Sequence, residues 1–337
     1  MTKRHPFIKS LLKQPLLLLL LLLVSCAPTA APTPTLPSTG MEEPVLPATG
    51  ATEPTATRAD PTLTLAISGS KQNAEQPIAT QPAEPTATAA ETAIVDLHEL
   101  SADQWKEWPV FPTAATDRLR QIYQKGLENG NNPRAFSVLG DCQSQPDVFM
   151  GVFDRDPEVV KSLPEPLQET VSHFSGMFDR YSTTVKDGTT EGALLWIQWN
   201  DNKEKKCEYG ETPLDCELRV NKPSIVFIHI GTHYEARNRK YLTTIIDKLL
   251  EHGAVPVLVT KADNRELDER VNSTMASLAE EYNLPLWNFW ASVQSLPDHG
   301  MDDGSDTYLS EAGLDVHRMG ALQALDAVWR AVSAETN

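Results

Sequence analysis

The run FSVLGDCQS, residues 136–144, closes an apolar stretch on a glycine and an aspartate and then presents a cysteine. A thiol leaving a buried strand can attack an acyl carbon if a base takes its proton and N–H donors face the developing oxyanion. The same side chain also serves as small, inert apolar filler, and both readings of Cys142 stand at this level. Asp141 suits a cap on the following turn, accepting backbone hydrogen bonds. Three histidines are candidate bases: His233 in GTHYEARN, His299 in SLPDHGMDDG and His317 in GLDVHRMG. Imidazole changes charge near neutral pH, which suits it to that task. Their structural alternatives are a loop histidine for the first two and a helix-start histidine for the third. Asp303 is a candidate to orient a base, or plain turn chemistry. Gly188 in DGTTEGALL leaves room for an oxyanion beside the backbone, or simply makes a turn.

The elements that must position these residues follow from periodicity. TDRLRQIYQKGLENGN spaces Leu119, Ile122, Tyr123 and Leu127 as a helix ending at Gly130. RAFSVLG, PSIVFIHIG, AVPVLVTKADN and LPLWNFW read as strands. NRKYLTTIIDKLLEHG is an amphipathic helix closed by Gly253, and RELDERVNSTMASLAEEYN and MGALQALDAVWRAV read as further helices. A helix is also expected over PEPLQETVSHFSGMFDRY, and another starting near Thr189. Buried strands alternating with helices imply an α/β domain, a parallel sheet covered on both faces. Ligands in such folds sit beyond the carboxyl ends of the strands. GDCQS, GTHYEARN and TKADN all fall there.

Residues 93–337 carry all of this. The first 26 residues pair basic Lys3, Arg4, Lys9 and Lys13 with a short apolar run, as a processing signal does. Residues 27–92 are rich in Pro, Thr and Ala, with little apolar surface to repay ordering, and read as a disordered tether. Its reach is on the order of 200 Å at about 3.1 Å per residue. The formal charge of −17 disfavours nucleic acid as a partner. Cys207 and Cys216 flank EYGETPLD and would close a short disulfide loop in an oxidising compartment. They make a weak zinc signal, and neither metal nor organic cofactor is called for.

LVSC, residues 23–26, resembles the lipobox of bacterial lipoproteins. That resemblance implies a signal peptide over 1–25, a lipidated Cys26, and a domain held at the cell membrane or outer cell surface. Residues 133–333 resemble the SGNH/GDSL hydrolases. LGDCQS matches their GDS block with Cys142 in the nucleophile position, and DGTTEGALL offers Gly188 as the oxyanion glycine. IHIGTHYEARN keeps Gly231 and Thr232 of the third block but has His233 where that family has asparagine. In MDDGSDTYLS the aspartate of the last block falls on Asp303, while its histidine position holds Asp306, or Tyr308 if an insertion is allowed. The resemblance implies a flavodoxin-like three-layer sandwich. It also implies hydrolysis of an acyl or acetyl ester, such as an acylated glycan, with Cys142, Gly188, His233, Asp303 and His299 as site residues. The alternative it leaves open is a silent glycan- or envelope-binding domain.

Overall fold

Four strands, β1 (Asn132–Gly140), β2 (Pro223–His229), β3 (Val255–Val259) and β4 (Leu286–Trp287), pair in parallel in the order β1-β2-β3-β4. The structure is a computed structural model and describes residues 101–111 and 116–334. The leader, Cys26 and the tether lie outside the described residues. Every residue of β2 and β3 is buried, which explains their unbroken Val/Ile/Phe/Leu runs: neither face meets water.

Nine helices among the described residues complete the fold. They are α1 (Thr116–Glu128), α2 (Val152–Arg155), α3 (Pro157–Ser162), α4 (Glu165–His173), α5 (Pro213–Asn221), α6 (Asn238–His252), α7 (Arg270–Tyr282), α8 (Phe289–Val293) and α9 (Glu311–Ser333). Together with the sheet they form a three-layer α/β sandwich. Helix α6 ends as expected: Gly253 takes φ +79° and its N–H caps the last turn. Among the described residues, no helix is long and apolar enough to cross a membrane.

Beyond the free edge of β1 the sheet gains one more rung. Gly140 bridges Val185 in parallel, with Gly140 N–H donating to the Thr184 carbonyl at 3.0 Å. Counting this rung as a strand, the order becomes 2-1-3-4-5, the flavodoxin-like arrangement. Side chains hold the segment where ladder bonds do not. The buried Glu217 carboxylate accepts from Ser137 Oγ (2.6 Å), Ser182 Oγ (2.8 Å) and the Arg180 guanidinium. Burial alone would raise the Glu217 carboxyl, but Arg180 and the two hydroxyls hold it below its ordinary value.

Four expected elements differ. The helix expected over PEPLQETVSHFSGMFDRY is only α4, Glu165–His173, and the chain turns after it. The helix awaited from Thr189 is instead two short 3-10 turns, Ala193–Leu195 and Ile197–Trp199. The last strand shrinks to Leu286–Trp287 because Asn288 caps α8, its side chain accepting from Ala291 N–H. Helix α7 starts at Arg270 rather than Arg265, because residues 261–266 are held by a buried ion cluster. Lys261 Nζ lies 2.6 Å from both Asp263 Oδ1 and Glu266 Oε2. The Cys207–Cys216 disulfide is present. Trp105 and Trp108 are buried against the domain, with the Asn288 amide donating to both carbonyls.

Candidate functional site

Parallel pairing of β1 with β2 sets Gly140 beside His229, so the loops leaving the two strands emerge together. Gly140 is required by that packing: a Cβ there would collide with Ser144 Oγ and press on the His229 carbonyl. Gly231 takes φ +144°, and a side chain at this position would strike Val271. With that turn made, the next residues pass back over β1. His233 thereby reaches Asp141: its backbone N–H donates to Asp141 Oδ2 at 3.3 Å, and its Nδ1 lies 3.9 Å from the same oxygen. A carboxylate oxygen of Asp141, Sγ of Cys142 and a ring nitrogen of His233 all lie within 4.8 Å of one another.

The cluster is held from beneath. Thr232 Oγ1 donates to Asp263 Oδ2 at 2.8 Å, linking the loop to the Lys261 ion cluster. Arg265 donates to the Thr232 carbonyl at 3.1 Å and approaches Asp306 at 3.7 Å, tying this loop to the hairpin between Met301 and Leu309. The Gln143 side chain donates to the Thr307 carbonyl from the other side.

Electrostatics divide the three groups sharply. Burial would raise the Asp141 carboxyl, but His233, His229 and the N–H groups of His233 and Gln143 outweigh it and hold the group below its ordinary value. The nearby Asp141 carboxylate lifts the His233 imidazole above its usual range, against the opposing pull of desolvation. Burial, then the negative charges of Asp141 and Asp187, push the Cys142 thiol up to about 12. A helix N-terminus behind Cys142 would have favoured the thiolate, but residues Cys142–Ser144 form only a single 3-10 turn. Asp141 does cap that turn, accepting from Gln143 N–H at 3.3 Å. The Gln143 amide, next to the thiol, is thus directed at a carboxylate and not at the cleft.

Cys142 lines a cleft of about 210 Å³ together with Gln143, Asp147, Asp187, Tyr308 and Leu309. Gly188, φ +75°, directly follows Asp187 of that wall. The other expected site residues are not part of the Asp141–Cys142–His233 cluster. His299 is exposed at φ +52°, its Nδ1 3.3 Å from the Gln294 carbonyl, and Asp303 is exposed in the turn of the hairpin. His317 is fully buried between Phe149, Trp287 and Phe289, with neither ring nitrogen hydrogen-bonded. Burial holds it well below its usual range, so it is neutral.

Two groups near the cluster escape sequence reasoning. Asp187 reads there only as half of a turn dipeptide. Glu191 is buried, with Oε2 accepting from Glu235 N–H at 3.2 Å and Oε1 unpartnered. Burial pushes its carboxyl up to about 7. Only the polar, glycine-flanked TTEG could have hinted at it, and that pattern suits a surface loop equally well.

No family model matches the chain, and no curated protein does. Among solved structures the chain is similar to a putative lipolytic protein of the G-D-S-L family from Desulfitobacterium hafniense, at 15% identity and a TM-score of 0.37, covering 56% of this chain and 98% of the other. It is also similar to a GDSL-like lipase from Bacteroides thetaiotaomicron, at 14% identity and a TM-score of 0.36, covering 62% and 98%.

Proposed function

We propose that the chain hydrolyses acyl or acetyl esters, with Cys142 as nucleophile, His233 as general base and Asp141 orienting the imidazole. The observation that supports this reading is the thiol, imidazole and carboxylate gathered within 4.8 Å of one another, with Cys142 lining an open cleft. With the thiol pushed up to about 12, forming a free thiolate at pH 7 would cost about 7 kcal/mol at roughly 1.4 kcal/mol per unit. The proton therefore leaves for His233 as Sγ bonds to the acyl carbon, rather than beforehand. The carbonyl π electrons move onto oxygen, where the Gly188 segment supplies stabilisation. Collapse of that intermediate breaks the ester C–O bond, and the alkoxide leaves with the proton from His233. Water, deprotonated by His233, then opens the thioester, releasing the acid and restoring the thiol. Lipidation at Cys26 would hold this activity at the cell surface, with acylated glycans in reach.

A panel of p-nitrophenyl and glycan acyl esters offered to the purified chain tests this. Turnover should be lost in Cys142→Ala and should rise with pH through an inflection above the usual imidazole value. Equal rates in native chain and Cys142→Ala would overturn it. A silent binding domain is the alternative, favoured by the protonated thiol and by exposed Tyr308 in the hairpin where the family histidine would stand. Saturable glycan binding without turnover would decide for it.

A further inference from the structure

The cleft over Cys142 has a one-sided charge. Its charged lining residues are Asp147 and Asp187; Gln143, Gln145, Val148, Leu309, Leu314 and Tyr308 complete the wall, and no lysine or arginine is among them. Among the described residues neither aspartate makes an ion pair, whereas Asp306, on the same hairpin as Tyr308, is matched by Arg265. Asp187 acts directly on the site, since its charge is felt at both Cys142 and His233. Tyr308 stands on the rim with 58% of its surface exposed, and an aromatic face is a favourable surface for an organic cation. Both aspartates are solvent-exposed, and their charges, of one sign along a concave wall, act together on whatever enters.

Resting on the reading of this cleft as the ligand site, we infer that it selects substrates carrying a positive charge, an ammonium or quaternary ammonium group near the scissile acyl, and rejects anionic ones. Asp187 and Asp147 are the specificity-determining residues, and Tyr308 covers the cation from the rim. A carboxylate- or phosphate-bearing ester would enter against two unmatched charges. A cationic ester replaces their missing counter-ion.

Charge selection can be read at Cys142 without turnover. The full chain is treated with three methanethiosulfonates that differ in their tail: trimethylammonium-ethyl, neutral methyl and sulfonato-ethyl. In each case the thiol displaces sulfinate to form a mixed disulfide, and the Cys142 peptide is followed by mass. Each rate is divided by the rate of the same reagent with 2-mercaptoethanol, removing intrinsic reactivity. The normalised cation-to-anion ratio should be on the order of 10 or more at low salt. It should shrink as ionic strength rises, and fall several-fold in Asp187→Asn and further in the Asp147→Asn/Asp187→Asn pair. A normalised ratio near one overturns the inference, as does a ratio that both substitutions leave unchanged. Failure of all three reagents to label Cys142 even when the pH is raised to 10, where a shortage of thiolate no longer accounts for it, overturns it too, because the cleft would then admit no ligand of this size. Cation-selective labelling without ester turnover would instead refute the hydrolase and leave the charge selection standing. Turnover indifferent to substrate charge would do the reverse.

Discussion

The ionisation of Cys142 can be measured directly against its surroundings. The thiol is 8% exposed, faces Asp141 and Asp187, and is raised from 9.0 to about 12. Three units correspond to a thousandfold smaller thiolate population at pH 8, or about 4 kcal/mol. Absolute alkylation rates would mix this effect with steric shielding, so the informative quantity is the pH dependence. With iodoacetamide and mass detection of the Cys142 peptide, log rate should climb one unit per pH unit from 7 to 10.5 without levelling. An ordinary thiol would flatten near 9. Between pH 9 and 12 the folded state keeps a proton that the unfolded chain has lost, so stability should fall with rising pH by up to about 1.4 kcal/mol per unit. Asp187→Asn, which removes one of the two charges, should bring the curvature to lower pH. A plateau by pH 9 in the native chain would refute the electrostatic picture and restore a pre-formed thiolate as nucleophile.

Lys261→Met should destabilise the fold by about 3–5 kcal/mol, because Asp263 and Glu266 would be left as buried charges without a partner; a loss of unfolding free energy in urea below about 1 kcal/mol would contradict this. Acid stability is a contest of buried groups. His229 is lowered from 6.5 to about 4, chiefly by burial, and resists protonation when folded, so stability is present above 6.5 and is lost as pH falls towards 4. Glu191, raised from 4.5 to about 7 by burial, works the other way, losing stability as pH rises from 4.5 to 7. Each spans about 3 kcal/mol over its window, so the two nearly offset, and the lowered His317, His252 and His173 outnumber the raised His233: melting temperature should fall as pH drops from 6.5 to 4.5. Glu191→Gln should steepen that fall, and a variant with an unchanged or flatter acid limb would count against the assignment.

Much of the scaffold was legible in the sequence because its signals are local. The all-apolar runs of β2 and β3 admit no other placement than a doubly covered sheet, and Gly253 marks its helix end by backbone freedom alone. The GDCQS and GTHYEARN loops were placed correctly at the strand ends for the same reason. What stayed hidden depends on contacts between distant residues. Lys261, Asp263 and Glu266 read as a polar exit loop or the start of a helix; their mutual burial delays α7 by several residues. Asp141 was legible as a cap, but its second partner, His233, lies 92 residues away and follows from strand pairing alone. The lifting of Cys142 needs the positions of two carboxylates and a burial depth, none of which one chain of letters records.

The segment carrying Gly188 is joined to the sheet by the bridge at Gly140, by Thr184 Oγ1 donating to the Val138 carbonyl, and by the hydroxyl and guanidinium contacts of Glu217, with no extended ladder. Cys142 and His233, by contrast, extend from the zipped β1–β2 ladder. Local opening can therefore release amides 184–188 to solvent exchange while Leu139 and Ile228 stay protected until the whole domain unfolds. Cys142 and His233 would then keep their register while the wall carrying Gly188 breathes, leaving that side of the cleft to settle around occupants of different bulk.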